Sequence, residues 1–214
     1  MTTTTLDGWR TARYNAYRWR YELTTTKKVA MALGMACLTG ILAQVRIALP
    51  FTPVPITGQT LAVLLAGVLL GKWWGGISQA IYAILGIAGV PWFAGWTGGV
   101  SRLAGPTGGY IIGFILCALA VGYFTDGFIK ARKFHNVLAI MLIANFVLVY
   151  LPGVTWLGLW LNLVSGKSTG IIQTLSLGFV PFIIGDVIKV VIAAGIGWGI
   201  VPKQSYARES DRTA

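Results

Sequence analysis

Six long apolar stretches take up most of this sequence and limit what it can fold into. A helix that crosses a bilayer needs about 18 or more mostly apolar residues, and runs of about 10–14 are ambiguous. Only 11% of the residues are charged, against roughly 25% in a soluble domain. We therefore expect an all-α integral membrane bundle of six transmembrane helices. The apolar stretches are residues 29–45, 60–70, 77–90, 111–124, 137–151 and 179–201.

The basic residues indicate how this bundle is oriented. Lys and Arg favour cytoplasmic loops, and one side of the predicted bundle carries far more of them. The other side holds only Arg46, Arg102 and Lys167, so both termini are expected to be cytoplasmic. Nucleic-acid binding is the other explanation for the net charge of +11, but the topology already accounts for these residues. The rich side carries Arg10, Arg13, Arg18, Arg20, Lys27, Lys28, Lys72, Lys130, Arg132, Lys133, Lys203, Arg208 and Arg212.

The chain divides into a membrane domain and two cytoplasmic tails. We expect a basic N-terminal tail over residues 1–26, the membrane domain over 27–202 and a polar, frayed C-terminal tail over 203–214. Residues 9–21 alternate Arg with Trp and Tyr. This pattern is typical of a helix on an anionic inner membrane surface, and a disordered tail is the alternative.

The connections between the spans differ in composition. Residues 49–59 contain three prolines, which cannot continue a helix, so this outer segment is expected to be stiff and extended. It either closes over a pocket or simply connects two spans. A tight inner turn is expected at 71–76, and an interfacial helix at 153–178. The outer segment 92–109 is rich in glycine, which permits tight turns and close approach of a ligand.

Asp186 and Lys189 are the residues most suggestive of function. They stand three apart within the last span and so share a helix face. Each is costly inside a bilayer, so an ionisable residue there is by default a functional hypothesis. The two side chains either contact a polar ligand or neutralise each other in an internal salt bridge, and one role does not exclude the other.

Further candidates for ligand contact lie near the outer mouth. Arg102 can pair with a ligand carboxylate or be an exposed loop charge. Gln79 and Tyr82 need polar partners, which are a ligand or a neighbouring helix. Aromatic residues at this level line a pocket or form the interfacial belt. The remaining candidates are Gln59, Trp92, Phe93, Trp96, Gly109 and Tyr110.

The first span carries small residues at a spacing of four, Ala32 and Ala36. Small residues let helices approach closely in lipid. This face therefore docks onto a partner protein or packs inside the bundle.

Several signatures of enzymes are missing from the sequence. It has no Gly-x-x-x-x-Gly-Lys-Ser/Thr loop for phosphates, and its single histidine, His135, lies on the expected cytoplasmic side. It has no cluster with metal-ligand spacing. We therefore expect no enzyme activity, no cofactor and no metal site.

Three motifs resemble those of the BioY family, in the same order. The first is Leu-Pro-Phe-Thr-Pro-Val-Pro-Ile-Thr-Gly-Gln-Thr-Leu-Ala-Val-Leu-Leu-Ala-Gly at 49–67. The second combines Gly-Val-Pro-Trp-Phe-Ala-Gly at 89–95 with Gly-Pro-Thr-Gly-Gly-Tyr at 105–110. The third is Pro-Phe-Ile-Ile-Gly-Asp-Val-Ile-Lys at 181–189. The similarity covers about residues 27–202, while the basic N-terminal tail and the long 153–178 stretch depart from the family pattern.

This resemblance implies a specific function. BioY proteins are the biotin-binding S components of energy-coupling factor (ECF) transporters, with six spans and an outward-facing pocket. The expected partners are a transmembrane T component and two cytoplasmic ATPase subunits, with Ala32 and Ala36 docking onto the T component. The family pattern places biotin on Asp186 and Lys189, with contributions expected from Arg102, Gln79 and Tyr82.

Two other functions stay open at this point. One is an S component for another vitamin, or a biotin carrier that works alone. The other is an intramembrane enzyme acting on a lipid, which would need a second acid, a histidine or a metal site within the bilayer.

Overall fold

The computed structural model describes residues 2–206 and 209–211 of the chain. Arg208 and Arg212 of the predicted C-terminal tail lie outside these residues. The fold is almost entirely helical, with one two-stranded antiparallel sheet in the described part. The elements are α1 Thr2–Glu22, α2 Thr25–Gln44, β1 Arg46–Ile47, β2 Ile56–Thr57, α3 Gln59–Leu70, α4 Lys72–Ile87, α5 Val100–Leu103, α6 Gly108–Gly127, α7 Phe134–Ile143, α8 Tyr150–Leu163, α9 Ile171–Gly178 and α10 Ile183–Ile200.

Four helical stretches of the described chain are long and apolar enough to cross a membrane. They make this a multi-pass membrane protein. The helix α3 is apolar but shorter, at 12 residues. The four stretches are Thr25–Gln44, Gly108–Gly127, Phe134–Leu163 and Ile171–Ile200.

The predicted interfacial helix at 153–178 is wrong in its first half. Helix α8 continues directly from α7 through a π-helical segment, Ala144–Val149, so that residues 134–163 form one 30-residue stretch. Pro152 lies within α8. A proline removes a backbone donor and crowds the preceding turn, and the wider π turn is a common way for a helix to absorb such a disturbance. In the second half, α9 leads through the turn Val180–Phe182 into α10, so that residues 171–200 form another 30-residue stretch.

The connection between α3 and α4 is shorter than the predicted turn at 71–76. Gly71 alone makes it, with a positive φ of 82° that favours glycine. Helix α4 already begins at Lys72, so Trp73 and Trp74 are helical residues. The third apolar helix therefore starts before residue 77.

Glycines let α3, α4 and α6 pack with their backbones nearly touching. A Cβ on Gly67 would come within 2.7 Å of the Ala118 carbonyl oxygen on α6, and one on Gly75 within 2.8 Å of the Ala66 oxygen. In lipid, association depends on such close packing rather than on a hydrophobic force. These three helices form the centre of the bundle. The glycine-rich segment 92–109 and the β1–β2 hairpin lie at one end of it.

One end of the bundle is formed by α1, the turn at Gly71, the segment 128–133 and the C-terminal tail, and it carries most of the basic residues. This basic end is folded rather than frayed. Helix α1 packs on it through Tyr17, whose hydroxyl donates to the Val68 oxygen at 3.1 Å. Arg132 is fully buried and pairs with Glu209 of the tail at 2.8 Å. The expectation of a frayed C-terminal tail is therefore wrong for its described residues, and the structure favours a helix over a disordered N-terminal tail.

Candidate functional site

A cavity of about 740 Å³ opens at the end of the bundle opposite α1. Its walls come from the β1–β2 hairpin, the glycine-rich segment 93–107, and helices α3, α4, α6, α8 and α10. Ligand pockets usually measure about 300–1,000 Å³ and combine apolar walls with a few polar groups. The cavity fits that description, and Asp186 and Lys189 both line it.

Asp186 lies at the centre of a polar network. Its side chain is almost completely buried, on the first turn of α10. Its Oδ2 accepts hydrogen bonds from Asn145 and Tyr150, each at 2.8 Å. Its Oδ1 accepts one from Thr60 at 3.3 Å and pairs with Lys189. A carboxylate has about four acceptor positions, so the network already uses all of them.

Lys189 connects this network to the hairpin. Its ammonium group pairs with Asp186 and donates to the Thr57 carbonyl oxygen at 2.8 Å. An ammonium has three donors, so one remains for a ligand. Both interpretations of the pair are thus compatible with the geometry, because the salt bridge is internal and also lines the cavity.

Gln59 and Tyr82 form a second polar group on the wall. The Gln59 amide donates to the Tyr82 hydroxyl at 2.7 Å, and Thr57 donates to Gln59 Oε1 at 2.8 Å. Gln59 starts α3 directly after the hairpin, and Tyr82 lies on α4 with no exposed surface. Both residues line the cavity.

The proline segment forms part of the cavity wall. It is held between β1 and β2, which pair with Arg46 opposite Thr57, and most residues between the two strands line the cavity. Thr52 at its tip donates to the Leu177 oxygen of α9 at 2.7 Å, which ties the segment across the opening. The stiff segment is therefore more than a connector.

Two arginines stand at the mouth of the cavity. Arg102 lies on α5 and Arg46 on β1; both are exposed and both line the cavity. Together with Lys189 they give three cations, against the single carboxylate of Asp186. The lining therefore carries two net positive charges, which favours a ligand with an anionic end.

Several predicted site residues have other positions. Gln79 is fully buried away from the cavity, where it bonds to Thr39 and Ser78. Trp92 is not in the lining; its indole donates to the Tyr82 carbonyl oxygen at 2.9 Å and so supports that residue. A Cβ on Gly109 would come within 2.3 Å of the Pro152 oxygen, so its small size serves helix packing.

The aromatic candidates are split by the fold. Phe93 and Tyr110 line the cavity, and the Tyr110 hydroxyl donates to the Gly178 oxygen at 2.7 Å. Trp96 points away, with 72% of its surface exposed.

The docking role expected for Ala32 and Ala36 does not fit their positions. Both have no exposed surface, because α2 packs this face against α3 and α4. The alternative, packing inside the bundle, matches the structure. Ala30 and Gly34 have the same spacing of four and are exposed.

Four cavity-end residues were not among the sequence candidates: Arg46, Thr60, Asn145 and Tyr150. Asn145 Oδ1 is buried and has no hydrogen-bond partner among the described residues. A polar side chain in the fifth apolar run was a usable signal, because such groups need partners in lipid. Thr60 and Tyr150 carry no comparable signal, since both residue types are common in spans and their roles depend on tertiary contacts.

The cavity therefore offers a placed ammonium donor, hydroxyls, an amide and a cationic mouth around apolar walls. Such a site can hold a small amphipathic molecule with hydrogen-bonding groups at one end and an anionic group at the other. The arrangement contains no pairing of nucleophile and base among its described residues.

Comparisons with known proteins agree with this geometry. The sequence pattern of the BioY family matches residues 13–205. A probable biotin transporter BioY from Methanothermobacter thermautotrophicus is 50% identical over 69% of this chain and 94% of its own length. The biotin transporter BioY of Thermotoga maritima is 39% identical over 69% of this chain and 81% of its own length.

A solved structure has the same fold. The crystal structure of the S-component for biotin from an ECF-type ABC transporter superposes with a TM-score of 0.72 at 28% identity. The match covers 82% of this chain and 93% of that one. On the family match and the identity to these relatives, the chain belongs to the BioY family.

Proposed function

We propose that this chain captures biotin from outside the cell, as the substrate-binding S component of an ECF-type transporter. The observation that carries the proposal is the pair of the buried Asp186 and the partly buried Lys189, which lines a cavity of suitable size. The relatives are named as biotin transporters and the solved relative as an S-component for biotin. The chain acts as a transporter component and not as an enzyme.

The ligand chemistry suits the cavity. Biotin has a ureido ring with two N–H donors and one carbonyl, an apolar body and a carboxylate. The free donor of Lys189 serves the ureido carbonyl. The Asp186 carboxylate is fully occupied, so a ureido N–H takes the place of the hydroxyl of Thr60 or Tyr150, which can rotate away. Asp186 is buried deep in the cavity, whereas Arg46 and Arg102 are exposed at its mouth. We therefore expect the ligand carboxylate to lie near the two arginines.

We further propose six spans with both termini cytoplasmic. Helices α3 and α4 complete the count, with α7–α8 and α9–α10 each forming one span. Helix α1, the α3–α4 turn, the segment 128–133 and the C-terminal tail contact one another at one end of the bundle, and this end holds most of the basic residues. The positive-inside rule places it in the cytoplasm, so the cavity faces outside.

The proposed energy source is a separate complex of a T component and two ATPase subunits. Docking in lipid favours exposed small residues flanked by apolar ones. The outward face of α2 meets this requirement with Ala30 and Gly34 beside Leu33 and Ile41, which are 42% and 63% exposed. We propose this face, rather than Ala32 and Ala36, for the contact.

Titration calorimetry of the detergent-purified chain with biotin tests the proposal. We expect saturable binding of biotin and none of an unrelated vitamin such as thiamine. Binding of another vitamin without biotin would replace the assigned substrate.

Biotinamide, which lacks the carboxylate, tests the position of the ligand. It should bind more weakly than biotin to the unmodified chain. This difference should disappear in Arg46→Gln/Arg102→Gln, whereas Lys167→Gln, at an exposed position outside the cavity lining, should keep it. An unchanged difference in the double variant would remove the arginines from the carboxylate site.

A further inference from the structure

A second cavity, of about 340 Å³, lies at the basic end of the bundle. It is formed where the end of α1 and the start of α2 meet the turn between α3 and α4. It is therefore separate from the biotin cavity, which opens at the other end. No part of the proposed transport cycle uses it.

The charges around this cavity are mostly positive. Arg20, Lys28 and Lys72 line it together with one carboxylate, Asp126. Asp126 is engaged by protein groups: its Oδ1 accepts from Arg20 at 2.7 Å, and its Oδ2 accepts the Lys72 backbone N–H at 3.1 Å. Three cations and one carboxylate leave two net positive charges, so the cavity favours an anion.

The two lysines keep donors for such an anion. The Lys28 ammonium donates to the Tyr21 carbonyl oxygen at 2.9 Å, which uses one of its three N–H groups. The Lys72 ammonium lies over the Trp73 and Tyr123 rings, 4.7 and 4.6 Å from their centres. Neither ammonium has a carboxylate partner in the part of the chain that the structure describes.

The rest of the lining is mostly apolar. Met31, Leu70 and Trp74 complete the wall, and Trp73 exposes 63% of its surface. Tryptophan is enriched where headgroups meet the acyl region. Cationic pockets between helices at the cytoplasmic surface suit the phosphate of an acidic lipid. A free anion would make no use of the apolar wall.

We propose that this cavity binds the phosphate headgroup of an anionic phospholipid, with Lys28 and Lys72 as its ligands. The lipid would join α1 to the α3–α4 turn. This placement fixes the basic end of the protein in the lipid leaflet that it faces. The proposal does not depend on what the outer cavity binds.

Native mass spectrometry of the detergent-purified full chain with added short-chain lipids tests this site. Dihexanoyl phosphatidylglycerol should bind about tenfold more tightly than dihexanoyl phosphatidylcholine, because each nearby basic residue strengthens binding to acidic lipid. Lys28→Gln/Lys72→Gln should abolish this preference, and Lys28→Arg/Lys72→Arg should keep it. The matched control is Lys27→Gln/Lys133→Gln, which removes two exposed lysines that do not line the cavity.

Three outcomes would overturn the proposal. They are equal binding of the two lipids, equal loss in both Gln double variants, and displacement of phosphatidylglycerol by inorganic phosphate at similar concentration. The last outcome would indicate a site for free anions. Thermal unfolding of the same samples reports folding independently, and a lipid preference in a folded chain that does not bind biotin would contradict only the proposed transport function.

Discussion

At the scale of single residues, the buried carboxylate of Asp186 organises the site more than it faces the ligand. Its acceptors are satisfied by Thr60, Asn145, Tyr150 and Lys189. A buried charge without such partners costs several kcal/mol. The network therefore fixes the position of the Lys189 ammonium, which keeps one donor for the cavity.

The first prediction concerns the two charged residues of this pair. Lys189→Gln should weaken biotin binding by roughly ten- to a hundredfold, which corresponds to a charged hydrogen bond of about 1.5–3 kcal/mol. Either single substitution, Lys189→Gln or Asp186→Asn, should also lower stability, by up to about 3–5 kcal/mol, since it leaves one charge of a largely buried pair without its counterion. Calorimetry and thermal unfolding measure the two effects.

The double variant Asp186→Asn/Lys189→Gln provides the control. It removes both charges, so much of the lost stability should return while biotin binding stays weak. Equal destabilisation in the double variant and in Asp186→Asn would contradict the role of the ion pair.

At the scale of elements, the β1–β2 hairpin forms part of the cavity wall. Its prolines restrict the chain, its strands pair at Arg46–Thr57, and Thr52 attaches its tip to α9. A segment held at both ends needs little reordering when it covers a ligand. We infer that the hairpin controls ligand exit.

Thr52→Val tests this inference. The loss of its hydrogen bond to Leu177 should raise the biotin dissociation rate about tenfold, as expected for a net hydrogen bond of about 1 kcal/mol together with a looser tip. Stopped-flow measurement of the rate checks it. Thr155→Val, at an exposed position on α8, should leave the rate unchanged. Equal dissociation rates in both variants would argue against control of ligand exit by the hairpin.

The contact between α3 and α6 gives a second prediction at this scale. Gly67→Ala would bring a Cβ within 2.7 Å of the Ala118 oxygen, so the helices must separate. Overpacking of this kind costs about 1–3 kcal/mol and should lower the unfolding temperature. Gly195→Ala is the control, because nothing lies within 4 Å of its added Cβ. Similar unfolding temperatures for the two variants would show that the contact can yield.

At the scale of the whole molecule, the two ends of the bundle have different tasks. One end opens into the ligand cavity, and the other is held together by buried charges. Arg132 donates to the Thr125 and Gln204 oxygens and pairs with Glu209. Arg20 similarly joins α1 to Asp126 and Tyr206. The chain termini thus secure the end opposite the cavity.

The Glu209 contact predicts a dependence of stability on pH. Burial alone would raise the pKa of Glu209. Hydrogen bonds from Ser205, the Tyr206 N–H and Arg132 outweigh this effect and lower the pKa from 4.5 to about 2. A lowered folded-state pKa means that the stabilisation is complete above about pH 4.5 and is lost as the pH falls towards 2. Glu209→Gln should therefore be less stable than the unmodified chain at neutral pH.

Thermal unfolding of the two proteins between pH 7 and pH 2 measures this effect. The difference between them should be constant above pH 4.5 and shrink below it. Asp211→Asn is a useful comparison, since Asp211 also has a lowered pKa but lies at the surface, where its carboxylate accepts the backbone N–H groups of Ile129 and Lys130. A difference for Glu209→Gln that does not vary with pH would show that its charge is not involved.

The sequence by itself determined the membrane class, the positions of most apolar helices and the stiff proline segment, and it singled out Asp186 and Lys189 as candidates for ligand contact. These features are local. The length of an apolar run decides whether it can span a bilayer, prolines restrict the backbone, and ionisable side chains are costly inside the bilayer. The sequence also contained the family motifs, which are contiguous.

Only the tertiary structure decided which side chains meet. Spacing along a helix places Ala32, Ala36 and Gln79 on faces but does not say what covers those faces, and all three are buried by neighbouring helices. Arg46, Thr60, Asn145 and Tyr150 reach the cavity end from different parts of the chain. Contacts between distant segments depend on how the helices pack, and the pattern of a single segment does not contain that information.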